Sequence, residues 1–332
     1  MAGAPPILEV TDLGVEYGGD MPLLAVDHVN LVVRPGEFVG IVGESGCGKS
    51  TLCFAIAQLL NPPAEIVGGT VMFRGQDLVL LREKQLRALR WRTYSVVMQS
   101  AMNALNPVMT VGQQLRDAFK AHASVSNREA RVRGSEVLRL VGIDPAHLGS
   151  YPHQLSGGMR QRAMIAMALI FSPELIIMDE PTSALDVVAQ RSLMVKIREL
   201  QRELGFALIF VTHDISLVSR FSDRLAVMYA GEVVELGSTD QVFHDPKHPY
   251  TRGLLSAFPS IRGERKPLLG IPGNPPDLRH PPRGCRFHPR CPSVMPVCSV
   301  TPPPEYAPRG GDRVRCYLYA REEVDHQLQP IE

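Results

Sequence analysis

The stretch Gly43-Glu44-Ser45-Gly46-Cys47-Gly48-Lys49-Ser50-Thr51 decides the fold. It follows a β-branched apolar run, Phe38 to Val42, and leads into an apolar helical pattern. Strand, glycine-rich turn and helix therefore stand in the order that the phosphate-binding loop G-x-x-x-x-G-K-[ST] requires. Glycines let successive backbone N–H groups close around an anion, and the helix that follows aims its positive end at the same point. Lys49 is suited to the β- and γ-phosphates as a mobile charge, Ser50 to Mg²⁺, and Thr51 to the α-phosphate. A glycine turn that binds nothing is the bland alternative, and the ordered strand, Lys-Ser pair and helix argue against it.

Further along lie three more chemical signals. Leu155-Ser156-Gly157-Gly158 opens a helical pattern with Ser156 as a natural N-cap, which makes a second anion-binding helix start. Leu175 to Met178 is an unbroken apolar run, as expected of a central parallel strand, and delivers Asp179-Glu180 at its end. Phe206 to Val211 is another such strand and delivers Thr212-His213-Asp214. One domain has little use for two anion-binding helix starts on one phosphate.

The rest of the chain is organised around these. Ile7 to Tyr17 and Leu24 to Val33 partly alternate, as half-buried antiparallel strands do, and Tyr17 ends the first of them. The phosphate-loop helix is expected over about Lys49 to Leu60, stopped by Asn61-Pro62-Pro63. A short buried strand ends at Gln99, Ser100 to Pro107 reads as a loop, and charged helical patterns occupy roughly Val111 to Ala123 and Arg128 to Val141. Ser183-Ala184-Leu185-Asp186 is followed by a helix expected to run to about Glu203.

The chain has 332 residues, 35 basic against 34 acidic side chains, a formal net charge of +1 and 45% hydrophobic residues. That supports a main domain with an appendage and gives no reason to expect nucleic acid as a partner. No apolar stretch approaches the roughly 18 residues of a membrane-spanning helix, and the N-terminus lacks a secretory pattern. A reducing compartment is therefore expected, where cysteines suggest metal, redox chemistry or packing before disulfides.

Seventeen of the 28 prolines lie at or beyond Pro246, which implies turns and extended segments there. Cys285, Cys291, Cys298 and Cys316 lie in this region, separated by five, six and seventeen residues. Four thiolates suit an iron–sulfur cluster or a zinc ion; the short C-x₂₋₄-C pairs usual for zinc are missing, and two disulfides conflict with the compartment. Cys47 is expected to be alkylatable and protected by nucleotide, and Cys53 to be a small core residue.

In this order and spacing, the phosphate loop, Gln99, Leu155 to Gly158, Asp179-Glu180, Ser183-Ala184-Leu185-Asp186 and His213 resemble the ATP-binding subunit of ABC transporters over residues 7 to about 260. His248 to Leu255 and Ile271 to Pro276 resemble the tail of the oligopeptide, dipeptide and nickel importer branch. The resemblance implies an α/β P-loop NTPase (ABC ATPase) core with an antiparallel β subdomain, a helical subdomain and a small proline-rich C-terminal domain. The expected division is 1–245 for the nucleotide-binding domain, with its helical subdomain at about 100–170, and 246–332 for the extension.

The same resemblance implies ATP hydrolysis: Glu180 as general base, Asp179 and Gln99 at Mg²⁺ with Gln99 also near the attacking water, and His213 on the γ-phosphate. It places Tyr17 on adenine. It has Ser156, Gly157 and Gly158 close over the nucleotide of a second ATPase, paralogue or identical copy, with Asp186 across that interface. Two transmembrane permease subunits and an extracytoplasmic substrate-binding protein complete the implied assembly, at the cytoplasmic face of the cell membrane. Peptides are the implied cargo, with nickel complexes or oligosaccharides as alternatives. For the four cysteines it implies a [4Fe–4S] cluster, with zinc as the alternative. A soluble redox-sensing ATPase is the rival of another class. DNA-repair and translation ATPases would need a long heptad insertion or two cassettes, and this chain has neither.

Overall fold

The computed structural model describes residues 5–99, 104–123, 125–183, 185–257, 270–308 and 312–320. The strands, in chain order, are β1 (Leu8–Tyr17), β2 (Leu23–Val33), β3 (Phe38–Val42), β4 (Ala64–Phe73), β5 (Gln76–Asp77), β6 (Tyr94–Val97), β7 (Leu175–Asp179), β8 (Ala207–Thr212), β9 (Arg224–Tyr229), β10 (Glu232–Ser238) and β11 (Arg313–Val314). The chain divides into two compact units. One comprises Met1–Leu8, Val32–Phe38 and Phe73–Val211, the other Glu9–Leu31, Val39–Met72 and Thr212–Glu332.

In the first unit β6 pairs with β7, and β7 with β8, all parallel and in register from Tyr94 opposite Leu175 and from Leu175 opposite Ala207. Every residue of β7 and β8 is buried, which is why both read as unbroken apolar runs. The same unit holds the expected charged helices. The helix Val111–His122 starts in a capping box: Thr110 Oγ1 accepts from the Gln113 N–H at 3.2 Å, and Gln113 Oε1 accepts from the Thr110 N–H at 2.7 Å. At the start of the helix Asn127–Leu140, Ser126 Oγ accepts from the Glu129 N–H at 3.1 Å. Their apolar faces bury Leu115, Phe119, Val137 and Leu138, and Phe119 meets Phe171 edge-on with centroids 5.5 Å apart.

In the second unit β1 lies between β2 and β4 in one sheet. The strand before the phosphate loop, β3, pairs in parallel with β9, which pairs antiparallel with β10, and β10 with β11. The phosphate-loop helix spans only Lys49–Ile56, shorter than expected. The prolines do not end it. Gln58 adopts φ +54°, and its side-chain amide donates to the Ala55 carbonyl at 2.7 Å, closing the helix before Pro62 is reached. Beyond residue 246 the described residues hold one α-helix, Pro249–Ser256, with short 3₁₀ turns after it, as the prolines predict.

Candidate active site

The second unit carries the phosphate loop. Gly48 has φ +100°, and a Cβ there would fall 2.2 Å from the Ala25 carbonyl oxygen, so no other residue fits. Lys49 is only 5% exposed. Its ammonium donates to the carbonyls of Gly43 and Glu44, both at 2.9 Å, and lies 3.7 Å from Cys47 Sγ. The helix therefore begins with a charge held inside the loop, flanked by the half-buried Ser50. Thr51 Oγ1 lies 3.2 Å from the Tyr17 hydroxyl, which ties the end of β1 to this helix start. His213 belongs to the same unit, just beyond β8 and exposed, beside Asp214, whose Oδ1 accepts from the Ser216 N–H at 2.9 Å.

Cys47 departs from expectation. It is 5% exposed, and burial pushes its thiol pKa up despite the neighbouring Lys49 ammonium. A thiolate is what alkylating reagents attack, so this cysteine is poorly disposed to react. Cys53 is fully buried, as expected of a core residue.

The first unit carries the other residues singled out above. Asp179, at the end of β7, is 1% exposed. Glu180 follows it with φ +43°, unusual for a residue with a Cβ, and its N–H donates to the Val211 carbonyl at 2.9 Å. Such strain persists only where the surroundings enforce it. The structure brings Gln99 to Glu180: Gln99 Nε2 donates to Glu180 Oε2 at 3.1 Å. Of the loop expected at Ser100 to Pro107, residues 100–103 lie outside the described residues, as does Ala184.

Ser156 caps the helix Gly157–Leu169, its hydroxyl accepting from the Met159 N–H at 3.3 Å, and Gly157 and Gly158 form the first turn. Asp186 caps the helix Val187–Leu204, accepting from the Ala189 N–H at 2.9 Å. That is a structural task the sequence reading had not given it.

The C-terminal region supplies contacts to the loop that the sequence reading missed. The Glu44 N–H donates to the Tyr250 hydroxyl at 2.9 Å, and the Glu44 carboxylate is paired with Arg290. A cavity of about 360 Å³ lies against the loop, with Ser45, Gly46 and Cys47 on one side and Pro275 to Arg279 on another. No local pattern marks contacts across 206 and 246 residues.

Cys285, Cys291, Cys298 and Cys316 line one cavity together with His248 and Phe287. None of the six cysteines is joined in a disulfide. Burial pushes Cys285 up to about 12 and Cys316 up to about 11. Four soft thiols around one cavity are a donor set for a thiolate-bound group, and a bound cation would reverse those shifts. Among the described residues, however, no three His, Cys, Asp or Glu side chains are disposed to hold a single metal ion.

Comparison with known proteins places this geometry. Residues 26–183 match the ABC transporter family, and residues 234–298 match the oligopeptide/dipeptide transporter C-terminal region. The chain is 42% identical over 316 residues to the dipeptide transport ATP-binding protein DppD of Caldanaerobacter subterraneus subsp. tengcongensis, covering 94% of this chain and 97% of the relative. It is 45% identical over 302 residues to the oligopeptide transport ATP-binding protein OppD of Salmonella typhimurium, covering 90% of each. Among solved structures it resembles the dimeric bacterial ABC transporter cassette MJ0796, with a TM-score of 0.63 and 31% identity over 70% of this chain and 98% of that one. A phosphate loop with its lysine, a strained Glu180 held by Gln99 and both family matches on one chain have one consistent reading: the protein is an ABC-type ATPase, and it belongs to the ATP-binding proteins of the oligopeptide/dipeptide transporter family.

Proposed function

We propose that this chain is the ATP-hydrolysing subunit of an importer that carries di- or oligopeptides across the cytoplasmic membrane. The observation that carries the hydrolytic reading is the hydrogen bond between Gln99 and Glu180, an amide orienting a carboxylate beside the acidic end of β7. Glu180 then polarises the attacking water as general base. Gln99 fixes which carboxylate oxygen faces that water. The γ-phosphoryl group needs positioning and charge neutralisation more than covalent help. Lys49 and the loop N–H groups supply that charge on one side, and His213 donates to the γ-phosphate. Tyr17 stacks on the adenine while its hydroxyl stays on Thr51. Ser50, Gln99 and, through water, Asp179 are the residues that would hold Mg²⁺, which would supply neutralisation of phosphate charge when bound.

Ser156, Gly157 and Gly158 serve the nucleotide of a second ATPase subunit, a paralogue or a second copy, and Asp186 links the two sites. ATP binding closes that pair and hydrolysis opens it, which drives two permease subunits fed by an extracytoplasmic binding protein. Attachment at the cytoplasmic face runs through the permeases; among the described residues no helix is long and apolar enough to cross a membrane. Residues 1–245 form the nucleotide-binding domain, with the helical subdomain at about 100–170, and 246–332 the extension. The peptide cargo is supported by the named relatives and by the C-terminal match.

The four-cysteine cavity is read as the seat of a [4Fe–4S] cluster. What supports this reading is the set of four soft thiols around one cavity, with zinc as the alternative occupant. Such a cluster would cross-link a proline-rich segment that buries little apolar surface.

The test is the complex reconstituted with its permeases and binding protein. Peptide-stimulated ATP turnover and uptake are expected in the native complex, with both lost on Lys49→Ala. Turnover stimulated only by a nickel chelate or an oligosaccharide would overturn the cargo. Visible absorbance that bleaches on reduction, with iron and sulfide in the protein, would support the cluster, and stoichiometric zinc would replace it.

A further inference from the structure

Glu44 occupies a position that the phosphate-loop pattern leaves open, and a carboxylate is a poor neighbour for a triphosphate. Yet each of its polar groups is engaged. Its N–H donates to the Tyr250 hydroxyl at 2.9 Å, and its carbonyl accepts from Lys49 Nζ at 2.9 Å and from the Cys47 N–H at 3.3 Å. Its carboxylate meets the Arg290 guanidinium in a fork, Nη1 to Oε2 at 2.8 Å and Nη2 to Oε1 at 3.1 Å.

Arg290 is as fully committed. It is 7% exposed, its Nε donates to the Pro272 carbonyl at 2.8 Å, and its remaining N–H groups reach the Gly273 carbonyl at 3.3 Å and the Tyr229 hydroxyl at 3.4 Å. That satisfies the five donors of a guanidinium and leaves it no freedom to follow solvent. The turn between Cys285 and Cys291 carries it, and Phe287 on that turn packs edge-on against Tyr229 and Tyr250, with centroids 5.2 Å and 5.5 Å away. An exposed ion pair would contribute little. This one is bidentate, largely desolvated and backed by an aromatic cluster.

We propose that Arg290, assisted by Tyr250, is a positioning residue of the nucleotide site. It neutralises the Glu44 carboxylate beside the bound phosphates and holds the carbonyl that Lys49 donates to, so the C-terminal region is a working part of the phosphate loop. The inference rests on reading that loop as the ATP site. Its consequence is that nucleotide affinity answers to the turn bearing Cys285 and Cys291.

The experiment measures ATP dissociation constants and the split between KM and kcat on the full-length chain. Lys49→Ala tests the underlying reading: if it leaves ATP affinity unchanged, the loop is not the ATP site and that reading fails. Arg290→Met tests the inference, with affinity expected to fall on the order of tenfold or more while kcat at saturating ATP changes less than about threefold. Arg290→Lys keeps the charge but not the fork and should recover part of the loss. Glu44→Gln combined with Arg290→Met should bind ATP no more weakly than Arg290→Met alone, because the effect of Arg290 passes through Glu44. Should Arg290→Met fail to fold, Tyr250→Phe removes one hydroxyl and is expected to raise KM for ATP severalfold. Full additivity in the double variant, or unchanged ATP affinity in folded Arg290→Met or Tyr250→Phe, would overturn the proposal.

Discussion

Gln99 Nε2 donates to Glu180 Oε2 at 3.1 Å and thereby joins the chain beyond β6 to the chain beyond β7. The Glu180 backbone is strained at φ +43°, so the fold fixes the point from which this side chain projects, and Gln99 holds its carboxylate. Replacing Glu180 by Gln keeps the shape and an acceptor for Gln99 but removes the carboxylate proposed as the base. ATP turnover is expected to fall about 10²- to 10⁴-fold, with ATP affinity little changed. Single-turnover hydrolysis set beside equilibrium binding checks it, and a parallel loss of both would point to misfolding instead.

Gly46 and Gly48 both have positive φ, +80° and +100°, but their surroundings differ. A Cβ on Gly48 meets the Ala25 carbonyl oxygen at 2.2 Å, whereas one on Gly46 finds nothing within 4 Å. Gly46→Ala should therefore cost only the conformational strain, about 1–2 kcal/mol, and retain measurable ATP binding. Gly48→Ala has to displace β2 backbone, and ATP binding should be lost. Thermal melts and nucleotide titrations of the two variants distinguish them, and equal behaviour would refute the steric argument.

Cys47 lies in the loop but is buried, and its pKa is pushed up chiefly by that burial, so little thiolate exists near neutral pH. Alkylation by iodoacetamide at pH 7.5 should be slower in the native protein than in urea by on the order of tenfold or more. Mass-spectrometric labelling rates at this residue, with and without ATP, measure it. Fast native labelling that ATP suppresses would restore the expectation drawn from sequence.

How much of this was legible varies with how local the cause is. β7 and β8 could be read directly because a strand buried on both faces has no reason to alternate. Ser156 was legible as a cap because the serine, the glycines and the helix are adjacent. The early stop of the phosphate-loop helix was not, since it depends on Gln58 turning left-handed before any proline. β10 was also missed. Its pattern is broken by Glu232 and Glu235, and Glu235 is fully buried because its carboxylate accepts the N–H groups of Lys247 and His248 at 2.6 and 2.8 Å. The pairing of Arg290 with Glu44 is invisible for a plainer reason: it is set by the return of the chain after more than two hundred residues, and periodicity carries no information at that range.

His248 starts the helix Pro249–Ser256, its Nδ1 accepting from the Tyr250 N–H at 3.0 Å, and it is 1% exposed. Burial, with a smaller contribution from the Arg252 charge, lowers its pKa to about 3. In the unfolded chain a histidine titrates near its ordinary value of about 6.5. Between those two pH values the unfolded state binds a proton that the folded state refuses, so the stabilisation is complete above about 6.5 and is lost as the pH falls. The loss approaches about 1.4 kcal/mol per pH unit. Asn at this position keeps a capping acceptor without the titration. Urea unfolding of the native chain and His248→Asn at pH 7.5 and 5.5 should therefore give a smaller acid-induced loss in the variant, by roughly 1 kcal/mol. The same dependence in both proteins would place the acid sensitivity elsewhere. Because Tyr250 sits two residues beyond this cap with its hydroxyl on the Glu44 N–H, the acid-induced loss in the native chain should be accompanied by weaker ATP binding, and His248→Asn should blunt both together.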